Sequence, residues 1–170
     1  MISREYGKIT GWWNKKNITG IDLWDIVEVM ISRDGSKNTI KNMDILTPGW
    51  SRSWNYVRIL AFLETLRIVN KMSIEGAECQ SLYTDTAGFI TYGRHQDMNL
   101  GHHTVFQMRI LKSLGSMDRA ILWDDPILRY IYDHISHTPL DRILSSSNMR
   151  TEHIDKIQQA NLHSLYMLER

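Results

Sequence analysis

Cysteine is almost absent from this 170-residue chain, and the single one, Cys79, cannot form an internal disulfide. That points to a reducing, cytosol-like compartment, in which the Asn17-Ile18-Thr19 sequon goes unused. Proline is scarce too: Pro48, Pro126 and Pro139 are the only three, and no Pro/Gly-rich linker, low-complexity tract or internal repeat divides the chain. Long hydrophobic runs are missing. The longest, residues 59–63, falls far short of the roughly 20 residues that span a bilayer, and Arg4, Glu5 and Lys8 stand where a signal peptide needs an apolar run. There is no Gly-rich phosphate loop, no Gly-x-Ser-x-Gly and no Cys-x-x-Cys.

What the chain does have is an apolar share of 42% with 23% charge, the mixture of a folded domain. Its net charge of +1 hides local order. Residues 1–20 hold Arg4, Lys8, Lys15 and Lys16 against Glu5, and residues 49–72 hold Arg52, Arg58, Arg67 and Lys71 against Glu64, so each stretch is net +3. Residues 73–93 (Glu75, Glu78, Asp85) and 116–141 (Asp118, Asp124, Asp125, Asp133 and Asp141 against Arg119 and Arg129) are each net −3. Separated charges of this kind suit a polyanion on one side and a neighbouring copy on the other.

Periodicity supplies the elements. From 21 to 33 the odd positions Ile21, Leu23, Asp25, Val27, Val29 and Ile31 repeat every second residue and end at the turn signal Asp34-Gly35-Ser36, which predicts a strand. After a loop to Pro48-Gly49, Ser51 or Ser53 can cap a helix to residue 71. Its Tyr56, Ile59, Phe62, Leu63, Leu66 and Val69 lie within about 140° of one another, and Val57, Ala61 and Ile68 form a second strip. Residues 81–92 read as two short strands around Ala87-Gly88, and residues 104–111 as another. Asp124-Asp125-Pro126 opens a helix that should stop before Pro139, and Thr151-Glu152 opens a final one. The first 20 residues carry Tyr6, Trp12 and Trp13 among lysines without an apolar period, and read as a flexible arm ahead of one globular domain over 21–170. The predicted fold class is α+β: a small mixed sheet packed against a long helix, with additional C-terminal helices.

Seven histidines are the main catalytic or metal material. His95, His102 and His103 share one loop with Asp97, and His134 and His137 lie three apart, whereas zinc needs three or four ligands converging on a point. The segment with more to offer is Trp50-Ser-Arg52-Ser-Trp54-Asn-Tyr56-Val-Arg58, where aromatics alternate with arginines and no acid intrudes. Aromatic planes beside guanidinium groups suit single-stranded nucleic acid. Arg67 and Lys71 are four apart on one helix face, and Arg58 points about 180° from Arg67.

The run Trp54-Asn-Tyr56-Val-Arg58-Ile-Leu-Ala-Phe-Leu63, preceded by a strand ending at Arg33, resembles the aromatic-basic helix of rhabdovirus matrix proteins. Residues 104–111, Asp124-Asp125-Pro126-Ile127-Leu128 and Ile131-Tyr132-Asp133-His134-Ile135 resemble that family's penultimate strand, acidic turn and short helix. The resemblance covers residues 21–140 and rests on few, mostly apolar, shared residues. It implies a non-enzymatic structural protein without cofactor or metal. Such a protein self-associates head-to-tail, binds and condenses a viral nucleocapsid or RNA, and links it to the inner leaflet and a glycoprotein tail during assembly and budding. Its location would be the virion and host cytoplasm, peripheral on membranes. Trp12 and Trp13 would serve self-association; Lys15, Lys16, Arg52, Arg58, Arg67 and Lys71 would contact nucleocapsid or RNA. The departures are the missing Pro-Pro-x-Tyr budding motif and polybasic cluster, an acidic segment at 73–79 in place of an apolar loop, and a helical C-terminus. Short length and the missing motif look more like a plant-infecting, cytorhabdovirus-like branch. Two other classes compete: a free-standing RNA-binding regulator built on residues 50–58, and a small metal-dependent hydrolase built on the histidines.

Overall fold

The computed structural model describes residues 1–3, 7–10, 12–13, 20, 25–35, 37–48, 56–75, 80–95, 98–146 and 149–167. The chain is α+β; among the described residues the strands lie within the first 47 and the helices after them. It forms two compact units: Met1–Tyr56 with Val69–Asp97, and Val57–Ile68 with Met98–Arg170. The sequence reading places an arm over 1–20 and one domain from 21; the described residues of Met1–Tyr56 belong to the first unit.

In the first unit, β1 (Ile2–Ser3) pairs antiparallel with β2 (Gly7–Lys8). The Lys8 N–H donates to Ile74 O at 3.2 Å, and its Nζ donates at 3.4 Å to Asn70 O in the last turn of α1 (Tyr56–Met72), where a cation meets the negative helix end. A three-stranded mixed sheet runs β3 (Trp12–Trp13), β5 (Lys37–Thr47), β4 (Ile26–Asp34). β4 and β5 form an antiparallel hairpin whose turn holds Gly35 at φ +57°, a conformation that costs an L side chain about 1–2 kcal/mol. Cross-strand pairs Val27↔Ile45, Val29↔Met43 and Ile31↔Ile40 set aliphatic side chains opposite one another. The period-two pattern after residue 25 thus is a strand, but the segment read as a loop before Pro48 is its partner. Asn38, Lys41, Asn42 and Asp44 gave that strand little intrinsic strand character; the turn and the pairing with β4 impose it. Trp12 and Trp13 pair in parallel with Thr39 and Ile40.

Residues 81–92 are not two strands but the body of α2 (Gln80–His95). Threonines and aromatics raise local strand propensity there, yet the buried positions Leu82, Phe89, Ile90 and Gly93 follow helical spacing, so burial overrides propensity.

The second unit is helical. Its centre is α3 (Leu100–Ser113), which the sequence reading made a strand at 104–111. All of residues 103–108 are buried, so the middle of the helix has no solvent face to mark its period, and alternation of side-chain size mimics a strand. Asn99 caps it, accepting from His102 N–H at 3.1 Å, and Gly115 at φ +69° closes it with Gly115 N–H to Lys112 O and Ser116 N–H to Leu111 O, each 2.9 Å. The predicted cap at Asp125 opens α4 (Pro126–His134), its Oδ1 accepting from Ile127 N–H at 3.0 Å and Leu128 N–H at 3.3 Å. α5 (Leu140–Ser146) and α6 (Thr151–Met167) complete the unit. Packing of α6 on α3 is fixed by Asn161, whose Nδ2 donates to Thr104 O at 3.0 Å, and by Gly101, where an added Cβ would lie 3.2 Å from Ile154 Cδ1 and 3.5 Å from Leu144 Cδ2.

Candidate functional site

The basic stretch 49–72 becomes, from Tyr56 onward, the helix α1. Its buried side is Phe62, Thr65, Ile68 and Val69, an arc lying between the two apolar strips read from sequence. Thr65 is the residue that periodicity discounted. It is fully buried because its hydroxyl is satisfied twice, donating to Ala61 O at 2.9 Å and accepting from Gln107 Nε2 at 3.3 Å. Turning the helix onto this arc moves Tyr56 and Leu63, both expected in the core stripe, into solvent: Tyr56 is 72% exposed. The solvent face of α1 therefore shows Tyr56, Leu60, Leu63, Glu64, Arg67 and Lys71. Arg67 and Lys71 stand one turn apart on it, as the four-residue spacing requires.

Lys15, Lys16 and Arg52 lie outside the described residues, as do the side chains of Arg58, Trp12 and Trp13. The backbone of Trp12 and Trp13 is engaged with the chain's own β5.

Most of the described histidines serve as structural ties. His102 completes a capping box at the start of α3, its Nδ1 3.2 Å from Asn99 N, and burial holds its imidazole below the usual value while Asp141 pulls the other way. At the start of α6, His153 Nδ1 accepts from Arg150 N–H at 2.9 Å and its Nε2 faces Asp125 Oδ2 at 3.7 Å. His163 Nδ1 meets Asp118 Oδ2 at 2.8 Å, His103 sits edge-on to Phe62, and His134 stacks on Tyr130 at 4.2 Å. Among the described residues, no group of three or more His, Cys, Asp or Glu could hold a metal ion.

Sequence reading missed a set of cations and aromatics around α4. Arg109 Nε donates to Ile135 O at 2.7 Å and its Nη2 to Thr138 O, while Lys112 Nζ donates to Tyr132 O, so two α3 side chains satisfy carbonyls at and just beyond the end of α4. Lys112 and Arg119 both lie over the Tyr132 ring, at 4.5 and 5.3 Å, and Arg119 Nε donates to its hydroxyl at 2.9 Å. Burial lowers the Lys112 pKa and Arg119 adds to the effect, against an opposing pull from Asp133. Further along, Arg129 covers Trp123 at 5.5 Å from the ring centre. The pairings of Arg109, Lys112 and Arg119 with α4 join residues 13 to 29 apart in sequence, which local patterning does not mark. No helix among the described residues is long and apolar enough to cross a membrane.

Comparison with protein-family models, with curated proteins and with solved structures finds no match.

Proposed function

We propose that this chain is a non-enzymatic, self-associating structural protein of matrix type, which binds and condenses a nucleocapsid or RNA and links it to a membrane during virion assembly and budding. In this reading it resides in the virion and host cytoplasm, peripheral on membranes, as the rhabdovirus matrix proteins it resembles would. The observation that carries the reading is the outer face of α1, where Arg67 and Lys71 stand together beside exposed Tyr56, Leu60 and Leu63. Cations next to an aromatic and aliphatic surface suit a phosphate backbone with unstacked bases. Self-association is tested by light scattering across protein concentration on the full chain and on a chain lacking residues 1–18. The proposal expects mass to grow with concentration in the full chain; a particle that stays monomeric throughout overturns it.

The pairing of Trp12 and Trp13 with their own β5 favours a second reading, a free-standing RNA-binding regulator that keeps its N-terminal residues to itself. RNA binding without any growth in particle mass would select it.

A further inference from the structure

β4 is the outer strand of the three-stranded sheet, and β5 is its only neighbour among the described residues. The devices that usually blunt such an edge are missing from it. It is nine residues long, holds neither proline nor lysine, and has no charge in its central Val29-Met30-Ile31. It also runs without a bulge, since the two irregularities of the hairpin place the extra residues, Leu46 and Lys41, on β5. Its two sides are unequal. Val27, Val29 and Ile31 share the aliphatic side with Ile40, Met43 and Ile45, whereas Glu28 and Met30 lie on the polar side opposite Asp44 and Asn42. Met30, at the midpoint of the strand, is thus an apolar side chain on a polar surface, and it is 66% exposed.

We propose that β4 pairs antiparallel with β4 of a second copy of this chain, about a two-fold axis at Met30. The inference rests on the self-associating reading and names the contact that joins the first two copies. What selects a second copy is the strand's self-complementarity. A two-fold perpendicular to the sheet sets one residue opposite itself and keeps every side chain on its own side. With Met30 on the axis, all of Ile26–Asp34 is paired. Val29 then faces Ile31 of the second copy, and Ile31 its Val29, so the aliphatic side continues across the boundary. Glu28 faces Ser32, Val27 meets the aliphatic stem of Arg33, and the two methionines cover each other. No acid faces an acid. An axis at Val29 would pair only residues 26–32, and one at Ile31 would pair only 28–34 and set Glu28 against Asp34. Main-chain hydrogen bonds supply the attraction and these side-chain pairs the register. Both copies use the same edge, so the contact closes as a dimer, and growth beyond two falls to another surface.

The test combines oxidative cross-linking with sedimentation velocity on the full chain, without nucleic acid, and uses circular dichroism of every variant as the folding control. In a Cys79→Ser background, Met30→Cys should cross-link into a covalent dimer at least tenfold faster than Glu28→Cys, whose two copies stand four positions, roughly 13 Å, apart along the strands. Met30→Lys and Met30→Glu should each raise the dimer dissociation constant at least tenfold with the circular dichroism spectrum unmoved, since the side chain is solvent-facing. An equimolar mixture of the two should recover the dimer, because unlike charges then face each other across the axis. Equal cross-linking at the two positions, or a mixture no better than its components, overturns the contact. If Met30→Lys leaves assembly intact, this contact is overturned and the self-associating reading survives on another surface. A full-length chain that stays monomeric at every concentration overturns both.

Discussion

Asp125 ties α4 and α6 of the helical unit together with one carboxylate. Oδ1 caps α4, while Oδ2 accepts from Lys156 of α6 at 3.1 Å and faces His153. Burial pushes its pKa up, but the hydrogen bonds from Lys156, Leu128 and Ile127 outweigh that and hold it below the usual carboxylate value. Its stabilisation is therefore complete above the unfolded value near pH ~4 and is lost as pH falls through the folded value. Asp125→Ala should cost about 1–2 kcal/mol at neutral pH by chemical denaturation, and the variant should show a shallower loss of stability in acid than the parent. His102 has the opposite chemistry and the same slope. Its folded pKa is depressed by burial, so the unfolded chain takes up the proton first and stability drops as pH falls below about 6.5. His102→Gln keeps a side-chain acceptor for the Asn99 N–H without titrating, and melting temperature should then vary less between about pH 5 and 7. At Gly101 the constraint is space: a branched side chain there meets Ile154, Leu144 and the capping Asn99 oxygen, so Gly101→Val should destabilise by about 1–3 kcal/mol in the same assay.

Elements differ in how far the chain's own composition reveals them. β4 was legible because its aliphatic residues alternate and Gly35 follows; α4 and α6 were legible because Asp125-Pro126 and Thr151-Glu152 are local start signals. β5, α2 and α3 were not: β5 takes its state from its register with β4, α2 from the burial of Leu82, Phe89 and Ile90, and α3 from partners distant in sequence, namely α6, α5 and the middle of α1. The candidate surface was half legible for the same reason. The spacing of Arg67 and Lys71 is local, while the rotation that exposes Tyr56 and Leu63 depends on Thr65 finding Gln107 forty-two residues away. Gly115 shows an element boundary that can be tested directly. At φ +69° it lets two N–H groups turn back onto α3, and Gly115→Ala should cost about 1–2 kcal/mol by thermal melting, although nothing lies within 4 Å of the new methyl group.

For the whole molecule, electrostatic binding of a polyanion is the property that the near-zero net charge conceals. Arg67→Glu with Lys71→Glu should weaken binding of single-stranded RNA and lower the slope of log affinity against log salt by about 1–2, read by fluorescence anisotropy at several ionic strengths. An unchanged slope would leave these two residues without a role in that binding. The burial of α3 also has a temporal side. Its covering partner α6 lies downstream, with Ile157, Ala160, Asn161 and Ser164 buried, so α3 has finished leaving the ribosome well before the surface that shields it exists. At about 5–20 residues per second the stretch from Ser113 to Met167 needs roughly 3 to 11 s to emerge. For that interval Phe106 and its neighbours are a sticky, half-made core on every polysome. Crowded translation of one message would then set nascent chains against each other, which makes elongation rate and ribosome-associated chaperones, as much as the finished fold, determinants of how much protein a cell obtains.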